Sequence, residues 1–359
     1  MMNLLTDIER LVTCESPSTD LAAVARSAEV TAEVGSALLG SPPERIVLDG
    51  RTHLRWRLGS GPRKVLLLGH HDTVWPIGTL ARIPFEVRDG VLRGPGCFDM
   101  KTGVAMIFHA VAALGSPDGV TVLITGDEEI GSPSSRGLIE AEARQHAAVL
   151  VTEGSADGGA LKTERKGTSM YEVTLHGRAA HAGLEPERGV SATIEAAHQV
   201  LAVSRLTDLA AGTTVTPTVL TSGTTTNTVP AQGKFTVDVR VRNLAEQQRV
   251  DDAMRALQPV LDGAKVEVTG GPNRAPMELS ASAGLFELAS GLAAEIGIEL
   301  TQAAVGGASD GNFTAGVGVP TLDGLGAVGG GAHAESEHVL VSELVPRTTL
   351  LAALVKELT

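Results

Sequence analysis

Aromatic side chains are scarce in this sequence: Phe, Trp and Tyr together make up 3% of 359 residues. So few rings leave few stacking platforms for single-stranded nucleic acid. Basic residues are outnumbered, 29 Lys+Arg against 42 Asp+Glu, for a formal net charge of -13. No basic stripe offsets that excess, which excludes a protein that tracks a phosphate backbone. Only two cysteines occur, Cys14 and Cys97, too few for a disulfide framework and in keeping with a reducing compartment. No run approaches the roughly 18 apolar residues that a membrane-spanning helix needs. Residues 1–14 carry Asp7 and Glu9 and no basic stretch, so they do not read as a signal peptide. The expected location is cytoplasmic.

What the chain has is enough apolar residue to build a core, 43% hydrophobic against 20% charged. Its length points to two domains, or to one large domain carrying an insertion. From Lys64 onward strand and helix patterns alternate. Val65-Leu66-Leu67-Leu68 reads as a strand buried on both faces, and Val104, Ile107, Phe108, Val111 and Leu114 follow at helical spacing. Residues 120–124 read as the next strand and 133–145 as a helix, with Pro133 in its first turn and nearby serines to cap it. Ala148-Val149-Leu150-Val151 reads as a third buried strand. That order predicts a parallel sheet with crossover helices.

After about Lys166 the pattern changes. Residues 169–175 alternate as a half-exposed strand, 189–206 form an Ala-rich helical stretch, and 213–221 suit a strand. Phe235, Val237, Val239 and Val241 alternate with polar residues, a helical stripe runs from Val250 to Leu261, and 265–269 close with a strand. The order βαββαβ is that of a ferredoxin-like unit. From Pro276 the buried-strand pattern returns: a helix over 282–296, a Gly-rich stretch at 306–311, a strand over 317–322, a second Gly-rich loop leading to His333, and a last helix over 344–358. The expected fold is therefore α/β, a mixed and mainly parallel sheet domain over 1–166 and 276–359, interrupted by a ferredoxin-like domain over 167–275.

Ligands of open parallel sheets bind beyond the carboxyl ends of the strands. Here those ends run into Gly69-His70-His71-Asp72, Gly126-Asp127-Glu128-Glu129 and Thr152-Glu153-Gly154. Asp99 stands just before a helix, and His333 follows the second Gly-rich loop. Two imidazoles with several carboxylates suit a divalent ion such as zinc, with cobalt and manganese as competitors. One carboxylate bridging two ions and another serving as base would make a paired hydrolytic site. Asp72, two residues from His70 on an extended segment, is placed to fix the imidazole tautomer. His71 is read as a neighbour without metal contact, and Lys101 as a solvated residue at a helix start. Gly94-Pro95-Gly96 is not a dinucleotide loop, because the third glycine is missing and no strand directly precedes it.

Taken together these motifs resemble the di-zinc amidohydrolase superfamily of glutamate carboxypeptidase, acetylornithine deacetylase, succinyl-diaminopimelate desuccinylase and aminoacylase. Gly69-His70-His71-Asp72-Thr73-Val74 resembles its G-H-x-D-T-V, residues 94–103 its G-x-G-x-x-D-M-K-x-G, and Asp127-Glu128-Glu129-Ile130-Gly131 its D-E-E-x-G. The resemblance implies that His70, Asp99, Glu129, Glu153 and His333 hold two metal ions, with Asp99 bridging. It pairs Glu129 with His70 in the first site and Glu153 with His333 in the second. Glu128 would be the general base on a metal-bridging water, and Asp72 would orient His70. In the inserted unit, Gly177-Arg178-Ala179-Ala180-His181-Ala182-Gly183 resembles a G-x-x-x-H-A/S-G segment. By that likeness His181 stabilises the oxyanion in the active site of a partner subunit, and the unit serves as lid and dimerisation domain of a homodimer. Asn227, Arg240 and Arg274 match substrate-facing positions.

Glu at 153 and Gly307-Ala308-Ser309-Asp310-Gly311 are most similar to the glutamate carboxypeptidase-like members. The implied reaction is hydrolysis of an amide bond in a small peptide or N-acylamino acid, releasing a C-terminal amino acid such as glutamate. The alternatives are a deacylase of the acetylornithine or succinyl-diaminopimelate type, an intracellular dipeptidase, and, remotely, a non-catalytic binding protein on the same fold.

Overall fold

The structure, a computed structural model, describes residues 2–115 and 117–359; Met1 and Ser116 lie outside the described residues. The chain divides into two compact units, one holding the residues up to Arg165 together with Met277–Thr359, the other Lys166–Pro276.

The first unit is built on a six-stranded sheet whose middle strand is Val65–His70. Val120–Thr125 and Ala148–Val151 pair with it in parallel, one on each side, and the short strand Thr321–Leu322 adds in parallel beyond Ala148–Val151. Side-chain alternation explains why the Val65 strand reads as one apolar run. Val65 and Leu67 enter the larger core with Val122, Leu150, Phe108 and Leu351, while Leu66 and Leu68 enter a smaller core with Leu123, Val149, Ile139 and Phe313. Both faces are covered, so both parities must be apolar. Each fully buried Leu or Val contributes about 1.5–3 kcal/mol relative to exposure.

Because the chain leaves the middle strand first toward one side and then toward the other, a crevice opens at its carboxyl end. The helices Thr102–Ala113 and Val341–Leu358 pack against each other over the larger core, and Arg136–Ala143 packs with Gly311–Gly316 over the smaller one. The other edge of the sheet is an antiparallel hairpin, Glu44–Leu48 and Arg51–Leu58, preceded by the helices Met2–Thr13 and Leu21–Leu39. Sequence patterning does not announce this hairpin, since Trp56 and Leu54 are its only fully buried large apolar side chains.

Two expectations need correcting. The 133–145 helix is shorter, Arg136–Ala143, and the serines before it do not cap it through their side chains. Ser134 and Ser135 instead donate backbone N–H and hydroxyl hydrogen bonds to Asp127, which ties the helix start to the loop after Val120–Thr125. The expected strand over 317–322 is only Thr321–Leu322, because Gly311–Gly316 is helical and Val317 to Pro320 turn back to the sheet.

The second unit follows βαββαβ order: Gly167–His176, Ala192–Ser204, Thr214–Ser222, Gln232–Val241, Leu244–Arg255 and Lys265–Arg274, with a two-residue bridge between Ala180–His181 and Thr228–Val229 added. Its four long strands form one antiparallel sheet with Gly167–His176 and Gln232–Val241 in the middle and Thr214–Ser222 and Lys265–Arg274 at the edges. Tyr171, Val173, Leu175, Phe235, Val237, Val239 and Val241 face the two helices and form a separate core with Ala196, Val250 and Met254.

Candidate active site

Five loops of the first unit bring the metal-type residues together. His70 ends the middle strand and is almost fully buried. Its Nδ1 faces the Asp72 carbonyl at 3.0 Å and the Asp72 carboxylate at 3.4 Å, so Nδ1 carries the proton and Nε2 is left as the electron-pair donor. That Nε2 lies 3.3 Å from Asp99 Oδ1 and 3.5 Å from Glu153 Oε1. On the other side of Asp99, His333 Nε2 lies 3.3 Å from Asp99 Oδ2 and 3.1 Å from Glu129 Oε2. The two oxygens of Asp99 thus face two different imidazoles. Ligand atoms of His70, Asp99 and Glu129, and likewise of His70, Glu128 and Glu153, fall within 4.8 Å of one another.

This geometry corrects the pairing expected above. The close contacts join His70 with Glu153 and His333 with Glu129, not His70 with Glu129. The reason is topological. Glu153 and Glu129 follow the two strands that flank the His70 strand on opposite sides, and the loop carrying His333 reaches the turn Glu128–Ile130 on the Glu129 side.

The chemistry of the donor set fits divalent cations. Five carboxylates, from Asp72, Asp99, Glu128, Glu129 and Glu153, are gathered where little water reaches. His70 Nε2, which faces Asp99 and Glu153, and Glu129 Oε1 are buried without a hydrogen bond. Hydrogen bonds to the carboxylates of Asp99 and Glu129 push the pKa of the His333 imidazole up to about 10. Burial acts against a charge on His70, yet Asp72, Asp99 and Glu153 hold its imidazolium well above the ordinary histidine range. Burial pushes Glu129 up to about 7. Each of these shifts says that the cluster needs positive charge, which bound divalent ions would supply.

The supporting residues are as ordered as the ligands. Asp72, fully buried, accepts from the Ser18 hydroxyl at 2.6 Å and from the backbone N–H of Glu128 and Glu129, each at 3.2 Å. One carboxylate therefore orients His70 and pins the turn that carries both glutamates. Asp310 braces the same turn, accepting from Thr125 Oγ1 at 3.2 Å and from the Ser132 hydroxyl. His71 turns away: its Nε2–H donates to the Thr52 carbonyl at 3.0 Å, and burial lowers its pKa to about 4. Lys101 is not solvated as expected. It is buried and its ammonium donates to the carbonyls of Leu11 and Cys14, at 2.9 and 2.6 Å, anchoring the end of the first helix.

Sequence reasoning missed Glu337, which is buried and accepts from Trp75 Nε1 and from the backbone N–H of Gly96, Phe98 and Asp99. A glutamate among Ala334, Glu335 and Ser336 in a polar loop carries no signal of this. It missed Arg165 as well, whose buried guanidinium pairs with Asp323 at 2.7 Å and donates to the Gly307 carbonyl at 3.0 Å.

The remaining candidates belong to the second unit. His181 pairs with Thr228 across the short bridge, and the Ala182 N–H donates to the Asn227 carbonyl, so His181 and Asn227 are neighbours on an exposed edge. His181 Nδ1 accepts from the N–H of Gly183 and of Leu184, both at 3.1 Å, which leaves the proton of the neutral ring on Nε2. Arg240 forks onto Asp238, with contacts of 2.9 and 3.0 Å, on the wet face of Gln232–Val241. Arg274 ends the edge strand Lys265–Arg274 and is buried.

Comparison with known proteins identifies the family of the chain. Residues 66–357 match the model of peptidase family M20/M25/M40. The chain is 34% identical over 299 residues to carboxypeptidase G2 of Pseudomonas sp. (strain RS-16), covering 79% of this chain and 71% of that protein. It is 26% identical over 371 residues to succinyl-diaminopimelate desuccinylase of Methylorubrum populi, covering 92% and 95%. Among solved structures, the YXEP protein of Bacillus subtilis, a dinuclear metal-binding peptidase of the M20 family, superposes with a TM-score of 0.69 at 17% identity over 99% of each chain. The chain belongs to peptidase family M20/M25/M40, and its chemistry is the hydrolysis of C–N bonds.

Proposed function

We propose that this protein hydrolyses an amide bond in a small peptide or N-acylamino acid and releases a C-terminal amino acid, glutamate first among them. The observation that carries the reading is the split of Asp99 between two imidazole–carboxylate pairs, His70 with Glu153 and His333 with Glu129. These five residues would hold two divalent ions, zinc before cobalt or manganese given the mixed nitrogen and oxygen donors. When bound, the ions supply Lewis acidity for the scissile carbonyl and acidify the attacking water. Glu128, buried beside His70 and Glu153, takes that water's proton and returns it to the leaving amine. Asp72 keeps the His70 tautomer and the Glu128 backbone in place. His181 offers its Nε2–H to the developing oxyanion, acting from a partner subunit of a homodimer, with Asn227 beside it. Arg240 or Arg274 reads the substrate's α-carboxylate. For Arg240 that means displacing Asp238 from its guanidinium.

The glutamate preference rests on the likeness to carboxypeptidase G2, and a deacylase reading rests on the longer but weaker match to desuccinylases. A cytoplasmic location is supported by two unpaired cysteines. Among the described residues, no helix is long and apolar enough to cross a membrane.

The test is a substrate panel on zinc- and cobalt-loaded protein: N-acylglutamates, glutamyl peptides, N-acetylornithine, N-succinyl-diaminopimelate and plain dipeptides. Release of glutamate is expected to be fastest. Glu128→Ala is expected to bind both ions and to lose hydrolysis by several orders of magnitude. Full activity in that variant, or a wild type that binds no metal, would sink the mechanism.

A further inference from the structure

We propose that Glu337 is a positioning residue that sets the spacing between the two halves of the metal centre, an inference that rests on the two-ion reading above. Its carboxylate is 1% exposed and saturated with donors. Oε1 accepts from the N–H of Phe98 at 2.9 Å and of Asp99 at 3.0 Å, while Oε2 accepts from the N–H of Gly96 at 2.9 Å and from Trp75 Nε1 at 2.8 Å. Three of the four donors belong to the loop that presents Asp99. The fourth lies on the segment that follows His70 and Asp72. Glu337 itself stands four residues after His333, within the same loop. A single carboxylate therefore joins the bridging ligand, the His70 segment and the His333 loop.

The His333 loop needs such a tie. His333 adopts a φ of 62°, a left-handed conformation that crowds the β-carbon of any residue but glycine. Its side chain is half exposed, unlike that of His70. Two successive turns make up the loop, one closed by Ala334 N–H to Gly331 O and the next by Glu337 N–H to Ala334 O. The first closes the turn that holds His333 and the second closes the turn that follows it, ending at Glu337, whose side chain clamps that end to the backbone of Asp99. The hairpin strands Gly329–Gly330 and His338–Leu340 pair with each other, and the second pairs with Val91–Arg93, which brings the His333 loop beside the Asp99 loop. Within that frame the Glu337 carboxylate is the side-chain tie that sets the distance between His333 Nε2 and Asp99 Oδ2.

The consequence is asymmetric. Glu337→Gln keeps the volume but turns an amide NH2 toward two of the four donors, which cannot be accommodated without shifting the loop. The ion on the His333–Glu129 side is then expected to bind about 10–100-fold more weakly, with the ion on the His70–Glu153 side little changed. The experiment is chelator competition with zinc on the full chain, with the cobalt absorption spectrum as a readout of ligand geometry. Both are run on wild type, Glu337→Gln and Trp75→Phe, together with apo-protein melting curves. Trp75→Phe removes only one of the four donors and is expected to weaken the same ion by a smaller factor. It decides the matter if Glu337→Gln does not fold. Two wild-type ions with a selective loss of one in the variants supports the proposal. Equal weakening of both ions, or two unaltered affinities, overturns it while leaving the two-ion site intact. A wild type that takes up fewer than two ions overturns the two-ion reading and this inference with it.

Discussion

Burial decides what single titratable groups of this protein can do. His146 sits in the loop after Arg136–Ala143, where its Nδ1–H donates to the Glu142 carbonyl at 2.8 Å and its Nε2 accepts from the Thr121 hydroxyl at 2.9 Å. Burial lowers its pKa below the ordinary 6.5, so the folded chain keeps it neutral where the unfolded chain takes up a proton. The stability it contributes is present above the unfolded value and is lost as the pH falls through and below it. Melting temperature followed from about pH 7 to 5 should therefore drop more steeply for wild type than for His146→Gln. Equal slopes would refute the assignment. Cys97 offers a second check. Burial pushes its thiol well above the usual cysteine range, and the side chain has no exposed surface. A thiol reagent at mildly alkaline pH is expected to label Cys14 at most in the native protein and both cysteines after unfolding.

At the scale of elements, the site depends on how closely one helix meets one strand end. Thr102–Ala113 begins directly after the Asp99 loop, and Gly103 lies so near the strand leading to Glu153 that an added Cβ would stand 2.0 Å from the Thr152 carbonyl oxygen. Gly103→Ala must push the helix start away, at a cost of about 1–3 kcal/mol or more, and it moves Asp99 relative to Glu153. Denaturant melts combined with a metal count should show both losses together; a destabilised variant with full metal content would separate packing from ligand placement. Gly103, the last residue of the 94–103 motif, was legible in the sequence, but its reason was not. A glycine at a helix start reads as a weak helix former until the neighbouring carbonyl is seen. Lys101 teaches the same lesson, since only packing shows that its ammonium closes the end of Met2–Thr13 instead of facing water. The hairpin Glu44–Leu48 and Arg51–Leu58 lacked a sequence signal because one of its faces is largely polar and salt-bridged, as in Arg55 with Glu44 and Glu142.

At the scale of the whole molecule, the second unit leaves apolar side chains in water. Ile194 and Leu201 are exposed on Ala192–Ser204, and Val219 and Leu220 on the edge strand Thr214–Ser222. An edge strand with apolar side chains is a surface for pairing with another copy. The homodimer proposed above should therefore dissociate in Leu201→Asp/Val219→Asp, as measured by light scattering after gel filtration, while a monomeric wild type at micromolar concentration would refute it. If His181 acts across subunits, mixed dimers of His181→Ala and Glu128→Ala should regain about a quarter to a half of wild-type activity, one intact site per mixed dimer. What the sequence by itself determined is the content of the two units and the kinds of residue at the strand ends. Apolar runs and alternation report which strands are buried on two faces and which on one, motifs name His70, Asp72, Asp99, Glu128 and Glu129, and a strand end and a Gly-rich loop point to Glu153 and His333. Only the tertiary structure decided which imidazole meets which carboxylate, and that Glu337 binds the loops between them. Those are distances between segments up to 262 residues apart, as for Trp75 and Glu337, and they follow from strand order and loop closure, which no local pattern encodes.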